Sequence, residues 1–304
     1  MEVSREQIAD WLRNLQDNIC SALEKADGKA KFREDNWQRE EGGGGRTRII
    51  SNGNVIEKGG VLFSAVHGNA PDFLTKEKEH SVSGSSVRPQ FYATGVSIVI
   101  HPKSPMVPII HMNVRYFEMT GGVHWLGGGI DLTPHYIVED DAKYFHAQLK
   151  KACDKHHSGY YSDFKKWADD YFYITHRKET RGIGGIFFDR LNEGKGMSFG
   201  QNLAFWKEVG ETFAPAYTEL ISRNKDKAYS EKETQWQLLR RGRYVEFNLV
   251  YDKGTKFGLE SNGRVESILM SLPKLAGWEY DFQPEKGSAE EKTLNLLKKG
   301  ISWA

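Results

Sequence analysis

Cysteine is scarce in this chain: Cys20 and Cys153 are the only two among 304 residues, and they form no CxxC pair. A disulfide framework or thiolate zinc site therefore has no basis. No Asn-x-Ser/Thr sequon occurs, so a signal for N-glycosylation is missing. An excess of one charge is missing too. The 42 Lys and Arg stand against 41 Asp and Glu, for a formal balance of +1 with neutral histidines. Partners that present phosphates or an acidic bilayer, which draw on a basic excess, are disfavoured. No apolar run approaches the roughly 18 residues that would suggest a membrane span. The sequence starts Met1-Glu2-Val3-Ser4 and moves directly into a helical pattern without a basic, apolar leader. A cytoplasmic protein is the expectation, and reduced thiols fit it.

The common ligand motifs are missing as well. There is no GxGxxG after a strand, no GxxxxGK[ST] and no HExxH, so dinucleotide, P-loop and zincin readings have no support. None of the ten histidines begins an HxD or HxE, which argues against the usual spelling of a two-His-one-carboxylate iron site. His101, His111, His146 and His176 could converge on a metal, yet dispersed histidines are more often ordinary structural or surface side chains.

Glycine is what the chain has in plenty, 31 residues, above the roughly 7% average. The glycines cluster instead of forming a tether, so one domain over 1–304 is expected. Capping-box spacing at Ser4/Gln7, Ser198/Gln201, Ser230/Glu233 and Ser288/Glu291 marks four helix starts. Apolar stripes predict two further helices over 139–157 and 160–177. Residues 46–51 and 54–57 flank Asn52-Gly53, a favoured two-residue hairpin turn, and Gly59-Gly60 leads to a third strand over 61–66. Residues 244–251 and 255–260 flank Asp252-Lys253-Gly254 and predict a second hairpin. The polar stretch 75–88 predicts a loop. Hairpins mixed with helices give the fold class α+β.

The chemistry concentrates on two β-rich runs, 95–101 and 109–117, separated by a loop holding Pro102, Pro105 and Pro108. Period two puts His111, Asn113 and Arg115 on one face of the second strand and Met112, Val114 and Tyr116 on the other. Symmetric pairing places Ser97 opposite Asn113, so that Ser97, His101, His111, Asn113 and Arg115 share a surface. A polar face is also what ordinary solvation produces. Three hydrogen-bonding residues at successive same-face positions nonetheless suit an anionic ligand, because Arg offers a planar fork to carboxylates. Gly127, Gly128 and Gly129 then precede Asp131; the glycines would let backbone lie flush against a flat ligand, and Asp131 could accept hydrogen bonds from ligand N–H groups. A tight turn with Asp131 capping the following helix is the structural alternative. Ser261-Asn262-Gly263-Arg264 adds another guanidinium.

Taken together, Gly95-Val96-Ser97 through His101, His111-Met112-Asn113-Val114-Arg115, the string from Gly127 to Pro134 and the segments around 167–177, 181–189, 244–252 and 266–273 resemble the oxygen-dependent coproporphyrinogen III oxidases over nearly the whole chain. The resemblance implies a single domain with a sheet of about seven antiparallel strands flanked by helices on both faces. It also implies a homodimer formed through 244–279. The implied reaction converts two propionates of coproporphyrinogen III to vinyl groups, giving protoporphyrinogen IX and CO2, with O2 as co-substrate reduced to H2O2 and no organic cofactor. Substrate contacts are implied for Ser97, Asn113, Val114, Arg115, Asn262, Gly263 and Arg264. His111 is implied as proton donor, Asp131 as the carboxylate facing pyrrole N–H groups, and Arg115 as the group orienting the reacting carboxylate. Many members have glycine where Asn262 stands, so contacts there can differ. His101, His111, His146 and His176 match positions assigned to a divalent metal in some members, while others act without one. Two other readings share these residues: a tetrapyrrole carrier without catalysis, and a histidine-ligated metal-dependent oxygenase.

Overall fold

The computed structural model describes residues 3–70, 88–194, 196–260 and 263–304. Of the stretch 75–88 only Arg88 falls among them, and Ser261 and Asn262 lie outside them. The chain opens with α1 (Arg5–Asp27), where Ser4 and Gln7 cap each other's backbone as the spacing required. Ile8, Leu12, Leu15, Ile19 and Leu23 are buried along one stripe of this helix. Each contributes about 1.5–3 kcal/mol on burial, far more than any helix propensity, so the stripe fixes how α1 docks.

Six strands follow in an antiparallel meander: β1 (Arg33–Gln38), β2 (Gly43–Ser51), β3 (Ile56–Asn69), β4 (Gln90–Pro102), β5 (Ile109–Met119) and β6 (Val123–Thr133). Two helices, α2 (Glu139–Asp154) and α3 (Tyr160–Tyr171), and a small hairpin of β7 (Tyr173–Ile174) and β8 (Glu179–Thr180) intervene. Strand β9 (Gly184–Leu191) then joins the free edge of β6, giving a seven-stranded sheet in the order β1-β2-β3-β4-β5-β6-β9. Helices α4 (Phe199–Asn224), α5 (Glu231–Val250), α6 (Lys253–Glu260), α7 (Val265–Leu269) and α8 (Ala289–Leu296) complete the chain. The α+β expectation holds, and the four Ser-capped starts begin α1, α4, α5 and α8.

Several local expectations are corrected. The hairpin predicted over 244–260 is helical: those residues end α5 and form α6. Trp236, Leu239, Tyr244 and Phe247 are buried at helical spacing. Four such side chains contribute about 6–12 kcal/mol against a few tenths per β-preferring residue, so burial overrides local preference. Helix α2 stops at Asp154 and α3 at Tyr171, short of 157 and 177, because Ile174 is drawn into β7. The first hairpin exists, but its strands close at Ser51 and Ile56. The Asp27 carboxylate takes the N–H groups of Asn54, Val55 and Ile56, opening the loop to four residues. Gly59 and Gly60 lie inside β3, where a Cβ on Gly60 would strike Met270 at 2.4 Å. Finally, residues 127–131 are neither a tight turn nor a helix cap but the middle of β6.

The two sides of the sheet are built differently. Val96, Ile98, Ile100, Met112, Val114, Ile130, Leu132, Ile186 and Phe188 belong to the main core with residues of α1, α2, α3 and α4. On the reverse side α5 covers one end, packing Tyr244 onto Val99 and Ile109. Met270 and Ser267, in and after α7, meet Gly60 and Thr47 there. Among the described residues no helix is long and apolar enough to cross a membrane.

Candidate active site

The register sorts the polar side into three rows. Trp37, Gly45, Ser64, Gly95, Arg115 and Gly127 face one another across β1 to β6. Asp35, Thr47, Leu62, Ser97, Asn113, Gly129 and Phe187 form the next row, and Ile49, Gly60, Val99, His111, Asp131 and Gly185 the third. The expected pairing of Ser97 with Asn113 is met. Strands lie about 4.8 Å apart, so Trp37 and Arg115 stand about 19 Å apart across four gaps. Between them the first row carries nothing larger than serine. The Trp37 ring lies over Gly45, so the low floor of this shallow groove is made by Ser64 and Gly95.

Each side of the groove carries a guanidinium held by a carboxylate. Arg115 Nη2 donates to Asp189 Oδ1 at 2.8 Å and its Nη1 to Asn113 Oδ1 at 2.9 Å. On the far side Arg264 Nη2 donates to Asp35 Oδ2 at 2.5 Å and the guanidinium lies 6.0 Å from the Trp37 ring. Arg264 Nη1 is buried without a hydrogen-bond partner among the described residues. An arginine donor left in that state suits an incoming acceptor. Gly263 offers less than expected, since its N–H is already spent on Gly258 O at 2.8 Å.

The third row ends in a closed cluster. Asp131 is 1% exposed and receives Arg181 Nη2 on both oxygens, at 2.8 and 2.9 Å. Burial alone would push its carboxyl up, but Arg181 and the bond from His111 outweigh that and hold it below the ordinary carboxylate range. Arg181 is itself enclosed by Phe172, Tyr244 and Phe247, whose ring centres lie 4.4, 4.8 and 4.6 Å from its guanidinium carbon. Its Nη1 donates to Asn248 Oδ1 at 3.0 Å. His111 Nδ1 lies 2.8 Å from Asp131 Oδ1 and must carry the hydrogen there, because an ionised carboxylate only accepts. The His111 side chain is 20% exposed, and among the described residues Nε2 is its remaining hydrogen-bonding edge. The chemistry this arrangement can do is acid–base exchange at His111, with Asp131 fixing the ring from behind.

The sequence-derived site is thus brought together in part. Ser97, His111, Asn113, Arg115 and Asp131 share one face, and Arg264 meets that face at Asp35 of β1. Val114 does not, because its side chain is fully buried in the main core on the other side. The four histidines do not assemble. His146 lies in the core with Nδ1 2.9 Å from Tyr161 OH and Nε2 3.0 Å from Ile183 O, and burial lowers its pKa to about 4. His101 is fully buried with Nε2 2.8 Å from Ser271 O, and burial lowers it to about 3. His176 sits between Tyr251 OH and Glu246 Oε2, each at 2.7 Å. Among the described residues no group of three or more His, Cys, Asp or Glu side chains is placed to hold a metal ion. The donor set does not fit a resident metal.

Sequence reasoning missed Arg181 and Asp189 as individual contributors. Their signal was faint: Arg181 is the third cation, after Arg177 and Lys178, ahead of a glycine-rich apolar strand, and Asp189 interrupts that strand after two phenylalanines. The three glycines also have a different reason from the one expected. A Cβ on Gly127 would lie 2.7 Å from Asp189 Oδ1, on Gly128 2.9 Å from Phe188 and on Gly129 3.0 Å from Phe187. They make room for neighbouring side chains and, at Gly128 and Gly129, for the Asn113 and Ile186 carbonyl oxygens, which a Cβ would approach to 2.8 and 2.9 Å. Two surface cavities, of about 540 Å³ beside Lys150 and Lys151 and about 640 Å³ beside Tyr136 and Lys232, involve other residues.

A family model described as coproporphyrinogen III oxidase matches residues 7–303. The chain belongs to the coproporphyrinogen III oxidase family. Its reaction is the oxidative decarboxylation of coproporphyrinogen III in haem biosynthesis. A substrate bearing carboxylates suits a groove with guanidiniums on both sides, and a decarboxylation that must move protons suits a histidine held by a buried aspartate.

Proposed function

We propose that this coproporphyrinogen III oxidase uses O2 directly and that the groove on the polar side of the sheet is its active site. The observation that carries the reading is His111, Asn113 and Arg115 on one strand face, with Asp131 fixed behind His111. In each of two steps a propionate R–CH2–CH2–COO⁻, one O2 and one proton give R–CH=CH2, CO2 and H2O2. The carboxylate's C–C bond electrons become the new double bond, and the β-carbon hydrogen leaves with two electrons to reduce O2. A porphyrinogen is electron-rich enough to supply electrons to O2 itself, so the protein has chiefly to orient and polarise it.

Arg115 receives the reacting carboxylate, and Arg264, whose Nη1 has no partner among the described residues, anchors another across the groove. Ser97 and Asn113 offer hydrogen bonds on the floor, and Asn262 and Gly263, which precede the second anchor in the chain, are further candidates for contact. Val114 enters only as backbone. His111 Nε2 exchanges a proton with the macrocycle, and Asp131 acts through His111, because an aspartate with 1% exposure and both oxygens engaged does not meet a pyrrole N–H directly. No step runs through a metal or an organic cofactor.

Dimerisation fits the same chain. Leu249, Val250, Val265, Leu275 and Trp278 are exposed apolar side chains within 244–279, and a second copy covering them would take their apolar surface out of water. A cytoplasmic setting remains the expected one.

The test is turnover of coproporphyrinogen III by chelator-treated protein in air and under nitrogen, following CO2 and divinyl product. Full turnover in air and none under nitrogen is expected. Product under nitrogen would overturn the oxygen-dependent reading. Binding without CO2 would identify a carrier, and activity abolished by chelator would favour a metal-dependent oxygenase.

A further inference from the structure

We propose that Asp189 is a positioning residue for Arg115, delivered by a bulge in β9; the inference rests on the reading of Arg115 as a carboxylate anchor. The β6–β9 register pairs Gly128 with Phe188 but Leu126 with Leu191. Opposite the single residue Gly127 the partner strand therefore holds two, Asp189 and Arg190. Arg190 adopts φ +52°, in the left-handed region that a non-glycine residue enters at a cost. Bulges of this kind re-aim side chains, and they concentrate beside functional sites.

Gly127 completes the device. It lies between Arg115 on β5 and the bulge on β9, and the two flanking side chains meet over it. A Cβ there would stand 2.7 Å from Asp189 Oδ1, 2.8 Å from Arg115 Nε and 2.9 Å from Arg115 Nη2. With Nη2 on Asp189 and Nη1 on Asn113, the plane of the guanidinium is fixed at two corners. Arginine has five N–H donors, so three remain for a ligand carboxylate. Asp189 thereby sets the direction of the fork without occupying it.

The sign of the effect separates positioning from simple electrostatics. A tetracarboxylate should bind better when a nearby negative charge is removed. If Asp189 orients Arg115, removing that charge makes binding and turnover worse. For Asp189→Asn the expected result is a fall in kcat/KM of about tenfold to a hundredfold, the range that loss of alignment produces. Affinity for the oxidised probe coproporphyrin III should weaken, and the thermal midpoint should stay unchanged. Asp189→Glu, which keeps the carboxylate, should restore part of the loss. In an Arg115→Ala background Asp189→Asn should add nothing further, as expected of a residue acting only through its partner.

Tighter probe binding or unchanged kcat/KM in Asp189→Asn overturns the inference, as does an equal further loss on top of Arg115→Ala. Arg115→Ala with wild-type kinetics would overturn the underlying reading of the groove and this inference with it. An impaired Arg115→Ala with an innocuous or additive Asp189→Asn would sink only the positioning role.

Discussion

Two arginine–aspartate pairs on the same side of the sheet make a controlled comparison. Arg181 and Asp131 meet at 2.8 Å with side chains 2% and 1% exposed; Arg115 and Asp189 meet at the same distance with 37% and 35% exposed. The chemistry is shared and only the surroundings differ. Behind α5 and inside three aromatic rings, the first pair cannot exchange partners with a ligand. Its work is to fix His111. At the open end of the groove, the second pair sits in water and can accept a carboxylate with little rearrangement. The lesson is that proximity and residue type do not assign a role; burial does.

Breaking each pair should therefore damage different properties. Arg181→Met leaves Asp131 as a buried carboxylate without its principal counter-charge, and loss of one partner from a buried pair costs about 3–5 kcal/mol. Denaturant unfolding should show a loss of that size. Asp131→Asn, which strands Arg181, should do the same, with turnover falling in whatever protein remains folded. The next effect is on activity alone. Arg115→Ala should change stability by no more than about 1 kcal/mol, since exposed pairs contribute little, while kcat/KM for coproporphyrinogen III falls by at least tenfold. If Arg115→Ala unfolds the protein, or Arg181→Met leaves it as stable as wild type, the comparison fails.

A third effect sharpens the contrast between buried and open sites through pH. His101 and His146 are held neutral by burial, lowered to about 3 and about 4, whereas in the unfolded chain each takes a proton near 6.5. The unfolded state thus binds protons that the folded state does not, so stability is lost as pH falls from about 6.5 towards about 4. Each histidine contributes about 1.4 kcal/mol per pH unit across that window. Unfolding measured at pH 7 and pH 5 should show the slope, to which buried His135 also contributes, and His146→Gln should remove its own share. A slope indifferent to that substitution would mean that His146 is not held neutral in the folded state.

Much of this was legible in the sequence where a local rule and the tertiary fold agree. Ser4/Gln7 and Ser198/Gln201 name their helices because capping is a contact within four residues. The alternation of His111, Asn113 and Arg115 with Met112 and Val114 named both faces of β5, and the proline-bearing loop set its register against β4. Where the rules disagree, the larger energy wins. Residues 244–250 prefer strand locally but lie in α5, because Tyr244 and Phe247 bury themselves against the sheet and Arg181.

The site divides in the same way. His111 and Arg115 could be read from spacing, but the residues that hold them come from β6, the segment before β9 and β9 itself: Asp131 lies 20 positions from His111, Arg181 50 from Asp131 and Asp189 74 from Arg115. No periodicity reports a contact made across the sheet. The same distance in sequence explains why Gly127 was read as room for a ligand when the space above it holds Arg115 and Asp189.

The most direct test is a structure of the protein with coproporphyrin III bound. The expected result is the macrocycle over the low floor of Ser64 and Gly95, one carboxylate in hydrogen-bond reach of Arg115, another near Arg264, and His111 Nε2 facing a ring nitrogen. A macrocycle bound elsewhere, with Arg115 and His111 both out of contact, would contradict the account.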